Sequence, residues 1–568
     1  MLTDGRRVGV ALVALLPFIT AVLPSLARGQ ADVLPGSERP ELRPFEPEVE
    51  PPEALDLPPI PAPADEELAR LSTGRRVFVK AFRVEGSSVF SEEELERLTA
   101  PFSGREISSE ELLRARDAIT DHYIEHGYLT SGAYIPDQDA DDGVVAIRVV
   151  EGVLTDVEIE GVRRFRPGYF STRLRRAARA PVNVNEIEAR LQLFNRDPRV
   201  ARVHAQLLPG ARRGESVLFL NVEENSFYGL DLSSANDNSP GVGSYTGYIK
   251  PHLSNLIGYG DEWSSQFQIS EGLRQYDSNF SIPLPPFDTR LALHYQRSRS
   301  DVVEKPFDDL DIESRSDTYG ITLDQPLLRI RNNEIRLGVT GEWRTSKTTL
   351  LDTCFSFTIG TDDCKTKVSV LRTFAGWTWS TPNFVIAARV TWSLGFHALG
   401  STDRPSPLAD SKFVSWLAQV QWAHRFPDEW LGAEVVARFD VQLASDALVA
   451  IEKFSVGGMR TVRGYRENQF VRDNGLVASV ELRVPVWRDR NGRALAQLAP
   501  FFDYGRSWDE EFMTRKQEIA SVGVGIRLSP WEWLYGDLYW GGRLKKAPKM
   551  GGDIQNDGIH FAIYITPF

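Results

Sequence analysis

The sequence has little of what anchors most catalytic or cross-linked folds. Only two of its 568 residues are cysteine, Cys354 and Cys364, which excludes a disulfide-dense scaffold. With no companion His or Cys at ligand spacing, they do not read as a zinc site. There is no Gly-x-Ser-x-Gly, no His-Glu-x-x-His and no P-loop lysine motif. The eight histidines are scattered. His122 and His126 stand four apart on one helical face with Asp121 and Glu125 beside them. No third ligand is in sight, so they read as a solvated helix face rather than a metal pair. Neither catalysis, a cofactor, a metal nor a nucleic-acid partner is expected. Past the N-terminal region no long uncharged apolar run occurs, so no transmembrane helix is expected.

What is present at the N-terminus reads as an export signal over residues 1–29. Arg6 and Arg7 form a basic end, Val8 to Leu23 is mostly apolar, and Ala27-Arg28-Gly29 offers small residues for cleavage. An exported chain without a spanning helix is either soluble or a membrane β-barrel. In an oxidising compartment Cys354 and Cys364 could pair, closing a short loop worth on the order of 3 kcal/mol.

Residues 30–76 form a Pro-rich acidic linker, with Arg43-Pro44-Phe45-Glu46-Pro47 and Pro58-Pro59-Ile60-Pro61-Ala62-Pro63 favouring an extended tether. One short helix is expected over Asp65 to Leu71. Residues 77–152 read as a small α/β unit. A strand spans Val77 to Gly86, capping boxes pair Ser91 with Glu94 and Ser108 with Glu111, and Leu112, Ala115, Ile119 and Tyr123 recur near helical period. Gly127 stops the second helix, and strands follow over Ser131 to Ile135 and Gly143 to Val150. Residues 153–225 repeat the pattern. Val157-Glu158-Ile159-Glu160-Gly161 echoes Phe82 to Gly86, Asn185 with Glu188 offers a capping box, and Arg199 to Leu207 and Val217 to Val222 return as strands.

From residue 226 to 568 the period becomes two. Ile335, Leu337, Val339 and Trp343 alternate with Arg336, Thr340, Glu342 and Arg344; Val435, Phe439, Val441 and Leu443 alternate with Glu434, Arg438, Asp440 and Gln442. Segments of about ten residues with aromatics near their ends fit a transmembrane antiparallel β-barrel of about sixteen strands. Short connections such as Ser380 to Asn383 alternate with long ones: Ser300 to Ser316, Lys347 to Lys365, His397 to Ser411 and Ser445 to Asn474. Short turns face the periplasm and long loops the exterior, which puts both cysteines outside. Asp237-Asn238 and Asp473-Asn474-Gly475 read as turns.

The sixth long loop, 445–474, carries Gly457-Gly458 and Val462-Arg463-Gly464-Tyr465. Apolar and aromatic residues around one cation suit a loop folded inward into a wet cavity with a counter-charge. A glycine-rich hairpin with a solvated Arg is the alternative. The motif resembles the signature of POTRA-bearing outer-membrane transporters, in particular the two-partner secretion (TpsB-type, ShlB/FhaC-like) family. The resemblance implies that this loop inserts into the barrel and that Arg463 pairs with Asp503 of Phe501-Phe502-Asp503-Tyr504-Gly505, Gly505 closing the barrel-wall motif. Phe82, Val84, Glu85 and Gly86 resemble a POTRA opening, and two such units before a barrel resemble the secretion branch rather than the barrel-assembly branch, which has more. Some members carry an N-terminal plug helix; no amphipathic helix precedes the Pro-rich run here. Phe568 at the end of a last strand from Gly558 resembles the signal read by the barrel-assembly machinery, with Pro567 a departure from the common pattern.

The resemblance implies a Gram-negative outer-membrane transporter with periplasmic POTRA domains. It would take an unfolded, TpsA-like secreted partner exoprotein and pass it through the barrel, driven without ATP by folding outside. Membrane lipid and, during biogenesis, the assembly machinery would be its other partners. An insertase for other barrels, or a passive porin or receptor, are the alternatives.

Overall fold

The computed structural model describes residues 55–56, 76–139, 142–285, 287–330, 332–354, 364–404, 409–509, 516–549 and 551–567. The export signal over 1–29, most of the 30–76 linker, the short helix over Asp65 to Leu71, and Phe568 lie outside the described residues. The chain divides into an N-terminal α/β part and a barrel.

The N-terminal part begins with β1 (Leu55–Asp56), then β2 (Val77–Val79), β3 (Ala81–Glu85), α1 (Glu92–Thr99), β4 (Arg105–Ile107), α2 (Ser109–Glu125), β5 (Gly132–Tyr134) and β6 (Val144–Val150). β3 runs parallel to β6, and β5 antiparallel to it. The single strand expected from Val77 to Gly86 is broken at Lys80, whose amide donates to the Gly143 carbonyl (2.7 Å). β2 instead pairs with β4, a strand too short to carry a period. Phe82, Val84, Leu95, Ala115, Ile119, Tyr123 and Ile147 are buried together as one core.

Two helix starts differ from expectation, one in its side chain and one in position. Ser108 and Glu111 form the complete capping box, satisfying two otherwise orphan donors. Ser91 accepts the Glu94 amide, but the Glu94 carboxylate turns away to His122 Nε2 (3.1 Å). His122 is therefore not solvated: its ring lies 4.5 Å from that of Phe90, and its side chain is 15% exposed.

A second unit follows as β7 (Val153–Glu160), α3 (Pro167–Ala177), α4 (Val184–Asn195), β8 (Val200–Pro209) and β9 (Glu215–Glu224). β7 is parallel to β9 and β8 antiparallel to it, so the connectivity of the first unit is repeated. The expected Asn185 cap is displaced by two residues: Asn183 is the N-cap, accepting the Asn185 amide (2.9 Å). α3 opens with Pro167, whose missing N–H costs nothing at a helix start. Phe170, Leu174, Ile187, Leu191, Leu218 and Leu220 are fully buried in its core. β1, from the Pro-rich linker, lies parallel to the outer edge of β8 through Leu55↔Ala205 and Asp56↔Gln206.

The barrel strands are β10 (Tyr228–Ala235), β11 (Thr246–Ser254), β12 (Glu262–Ile269), β13 (Leu273–Leu284), β14 (Thr289–Asp301), β15 (Ile312–Ile330), β16 (Asn333–Leu350), β18 (Lys365–Thr381), β19 (Phe384–Phe396), β20 (Phe413–Arg425), β21 (Glu434–Ala444), β24 (Asn474–Arg488), β25 (Ala494–Trp508), β26 (Gln517–Trp531), β27 (Leu534–Arg543) and β28 (Ile559–Ile565). Three short strands lie in loops: β17 (Thr353–Cys354), β22 (Phe454–Val456) and β23 (Phe470–Arg472). β10 pairs antiparallel with β28 and closes the sheet, a barrel of sixteen long antiparallel strands. Closure leaves no unpaired edge, which is what crossing a bilayer requires. No helix among the described residues is long and apolar enough to span.

The period-two faces separate as charge dictates. On β25, Phe502 is exposed on the outer face while Phe501 and Asp503 are buried inside. Outer-face Tyr276, Tyr295, Tyr319 and Trp343 form a row across β13 to β16, with neighbouring ring centroids 6.2, 5.0 and 5.7 Å apart. At the short-turn rim Trp379 packs on Phe384 and Trp531 stacks on Trp533. The two bands have the place of interfacial girdles. Several strands exceed the expected ten residues: β15, β16 and β18 have 19, 18 and 17. The strands therefore run into the ends of the loops expected over Ser300 to Ser316 and Lys347 to Lys365: β15 begins at Ile312 and β16 continues to Leu350.

Candidate functional site

Counted from β10, the connection between β21 and β24 is the sixth on the long-loop rim, and it is folded into the barrel. Its stem is a short ladder, β22 with β23, that pairs Phe454 with Arg472 and Val456 with Phe470. Beyond β22 the chain reverses through Gly457 and Gly458 at φ 112° and 110°. A side chain at Gly458 would collide with the Glu467 carboxylate, so both conformation and space require glycine. The turn is held by Thr461 Oγ1, which accepts the Gly457 amide (2.8 Å).

This turn delivers Arg463 to the inner wall. Its Nε donates to Asp503 Oδ2 (2.8 Å), its Nη2 to Asp503 Oδ1 (3.0 Å), and its backbone N–H also to Oδ2 (3.0 Å). The contact is a two-point fork, the geometry in which Arg is most directional. The guanidinium carbon lies 3.7 Å from the Phe501 ring centroid and 4.7 Å from that of Tyr539. Arg463 is 6% exposed and Asp503 fully buried. Removing either charge from such a place strands the other.

The neighbouring motif residues seat the loop. Gly464 sits at φ 89°, and a Cβ there would meet the Gly541 carbonyl oxygen at 2.7 Å. Its amide donates to His560 Nε2 (3.1 Å) and its carbonyl accepts from Arg543 Nε (2.6 Å). Tyr465 is fully buried, its hydroxyl 2.8 Å from the Ala520 carbonyl and accepting the Lys545 amide (3.2 Å). Val462 joins Leu417, Phe454, Val456, Val477 and Ile519 in an apolar cluster inside the barrel. The lumen-facing Phe501, Asp503 and Gly505 thus meet Arg463, Val462 and Val456 of the loop. Gly457 and Gly458 turn the chain within the loop, and Gly464 and Tyr465 seat on Gly541, His560, Ala520 and Lys545 beside that contact.

Several partners went unseen in the sequence. Glu481 on β24 bonds Arg463 Nη1 and also faces Arg483, Arg527 and Tyr539. Ser479, two residues earlier on the same inner row, donates to Asp503 Oδ1 (2.6 Å). The alternation Ser479, Glu481, Arg483 against outward Val480 and Leu482 was the available signal. Further along the loop, Arg460 pairs with Asp237 (3.3 Å) and Arg466 with Glu304 (2.5 Å). Asp237 and Asp473 are therefore more than turn residues. Asp473 is 1% exposed, accepts the Leu448 amide (3.0 Å) and pairs with Lys453 (2.9 Å). Asn474 begins β24, and its side chain accepts the Ala444 amide (2.8 Å).

The fourth outer loop contains the Cys354–Cys364 disulfide, with Cα atoms 5.1 Å apart. In the fifth, His397 lies 2.8 Å from Asp410 and 3.7 Å from Asp403, the one His and carboxylate group among the described residues with ligand-like spacing. Two of the three are exposed, and the trio reads as a surface ion pair.

A family model described as haemolysin secretion/activation protein ShlB/FhaC/HecB matches residues 214–528. The chain belongs to that family. A second model, the ShlB-type POTRA domain, matches residues 77–152, the whole of the first α/β unit. Among relatives, the chain is similar to the outer membrane transporter CdiB of Dickeya dadantii, 24% identical over 434 residues, covering 72% of this chain and 73% of that one. It also resembles the heme/hemopexin transporter protein HuxB of Haemophilus influenzae, 22% identical over 466 residues and covering 77% and 78%. The solved structure of CdiB from Escherichia coli shares the fold at a TM-score of 0.63, with 20% identity over 87% of this chain and 91% of that chain. BamA from Haemophilus ducreyi shares the barrel fold at 0.55, with 14% identity over 86% and 100%. The family, the barrel and the POTRA domain together make this an outer-membrane transporter with its POTRA region in the periplasm.

Proposed function

We propose that this chain passes one large, unfolded exoprotein from periplasm to cell surface, and that the inserted sixth loop holds the channel in its resting form. Two-partner secretion is the activity of the family, as exemplified by CdiB, HuxB and HpmB relatives. The observation that carries the loop's role is the buried fork of Arg463 on Asp503, three donors from one loop residue on one wall carboxylate. A pair so enclosed adds less to stability than to the choice of one loop position over others.

In this reading the two α/β units, over 77–152 and 153–225, receive the passenger as an added strand. Main-chain hydrogen bonds along a sheet edge suit an unfolded segment whose side chains vary. The candidate edges are β5 in the first unit and β8 in the second, which hold equivalent places in their sheets. β8 is already paired with the chain's own Leu55–Asp56. Lipid meets the outward apolar row, and the barrel-assembly machinery would insert the barrel during biogenesis. An insertase shares the barrel, but two periplasmic units, one of ShlB type, favour secretion.

Co-expression with a candidate passenger, a large exported protein, tests the proposal. Passenger should reach the medium with the chain present and remain in the periplasm without it. Equal release in both cases would refute transport.

A further inference from the structure

Among the buried charges of the loop, one at its stem has the sign opposite to Arg463. Glu452 is 7% exposed and sits eleven residues before Arg463. Its carboxylate accepts from Arg372 Nη2 at both oxygens (2.9 and 3.0 Å) and from Arg344 Nη1 (3.2 Å). Arg344 lies on β16 and Arg372 on β18, at 3% and 4% exposure. The wall supplies one acid of its own, Glu342, which contacts Arg344 (2.9 Å) and Arg372 (3.1 Å). The wall cluster alone is two cations against one anion. Glu452 brings it to neutrality, and it does so only while the loop is inserted.

At the tip the wall presents Asp503, together with Glu481 that it shares with Arg483 and Arg527, and the loop brings Arg463. The loop thus brings a cation to Asp503 and an anion to Arg344 and Arg372, two contacts of opposite polarity. The two contacts also lie on different strands, β16 and β18 against β24 and β25. Release at one need not disturb the other.

We propose that Glu452 is a second positioning residue of the transporter, the stem latch that holds the inserted loop against Arg344 and Arg372 and so sets how often the channel is open. This rests on the reading that the inserted loop closes the channel. The physical reason is the cost of leaving a buried cation without its counter-charge, which is larger than the worth of the pair itself.

The test uses full-length protein in planar lipid bilayers, scored by open fraction at fixed voltage, with heat-modifiable barrel measured alongside. Glu452→Gln should raise the open fraction on the order of tenfold, and Glu452→Asp, which keeps the charge, should raise it less. The double variant Glu452→Gln with Arg372→Gln restores neutrality with Arg344 on Glu342, and should return towards the wild-type value, non-additively. A role only in barrel stability would give no such return and would lower the heat-modifiable fraction. If Glu452→Gln behaves as wild type while Arg463→Ala opens the channel, the stem latch is refuted and the loop reading stands. If neither variant changes the open fraction, the loop reading falls and the latch with it.

Discussion

Gly505 on the barrel wall is the floor on which Val462 of the inserted loop rests. A Cβ at Gly505 would stand 2.7 Å from Val462 Cγ2 and 2.4 Å from Val456 Cγ1, closer than carbon atoms pack. The glycine two residues after Asp503 is thus the space the loop fills once Arg463 has found its carboxylate.

Gly505→Ala should therefore loosen the loop without unmaking the barrel. Overpacking of this kind costs about 1–3 kcal/mol, and here it can be relieved by withdrawing the loop. Protease cleavage within 445–473 should rise in outer-membrane vesicles while heat-modifiability is kept. Unchanged cleavage would mean that the loop is held by other contacts.

Arg463→Ala and Asp503→Ala should each reduce passenger secretion, and the double variant should be no worse than the singles. Losses that add would show that the two side chains act separately. Secretion normalised to folded barrel is the measurement.

Cys354→Ser should leave secretion at the wild-type level, because the disulfide ties a loop remote from the Arg463 contact. Non-reduced peptide mapping of outer-membrane material should recover Cys354 joined to Cys364. Both thiols free would contradict the structure.

In the second α/β unit, burial opposes ionisation of Asp197, but Arg199 outweighs it and holds the carboxyl below its usual range. Arg199 Nε bonds Asp197 Oδ1 (2.7 Å) and the Tyr169 hydroxyl donates to Oδ2 (2.8 Å). A depressed folded-state value means that the pair's stability is present above the unfolded value of about 4 and lost as pH falls through the folded one. Asp197→Asn should cost about 3–5 kcal/mol at neutral pH. In urea melts of residues 50–225 the gap from wild type should shrink below pH of about 4. A gap independent of pH would refute the assignment.

A fragment of residues 76–225 should bind the passenger's N-terminal segment more tightly than one of 50–225. Leu55–Asp56 occupies the β8 edge, and two ladder residues are worth on the order of 1 kcal/mol, about fivefold in affinity. Equal affinities by calorimetry would place the passenger elsewhere, with β5 the next edge to examine.

The parts of this fold that could be read in advance are those where a physical constraint repeats. Period two along β16 and β21 reports a wall with lipid on one side and water on the other, and the paired motifs around Arg463 and Asp503 report a contact. Elements without repetition were lost: β4 is three residues long, and α3 opens on Arg166-Pro167 with no side-chain cap. Glu452 lies in Ala450-Ile451-Glu452-Lys453, where nothing local distinguishes a buried acid from a solvated one; its partners are more than 75 residues away in sequence. His122 was misjudged because its cover, Phe90, comes from before α1 rather than from its own helix.

Beyond the row of Tyr319 and Trp343 the ladder between β15 and β16 does not stop; it continues through Thr318↔Arg344 to Ile312↔Leu350. Seven more paired positions at a rise of about 3.3 Å per residue carry the sheet well past the headgroups, with Ser, Thr, Glu, Asp, Arg and Lys on both faces. The strands of the opposite seam, β10 and β28, have only 8 and 7 residues. The mouth is consequently lopsided, a stiff polar parapet on one side and a low sill on the other. An emerging polypeptide has open water across the sill and a fixed hydrogen-bonded surface at its back. For an antibody or a phage approaching the cell, that parapet is a rigid target where a barrel would ordinarily offer only loops.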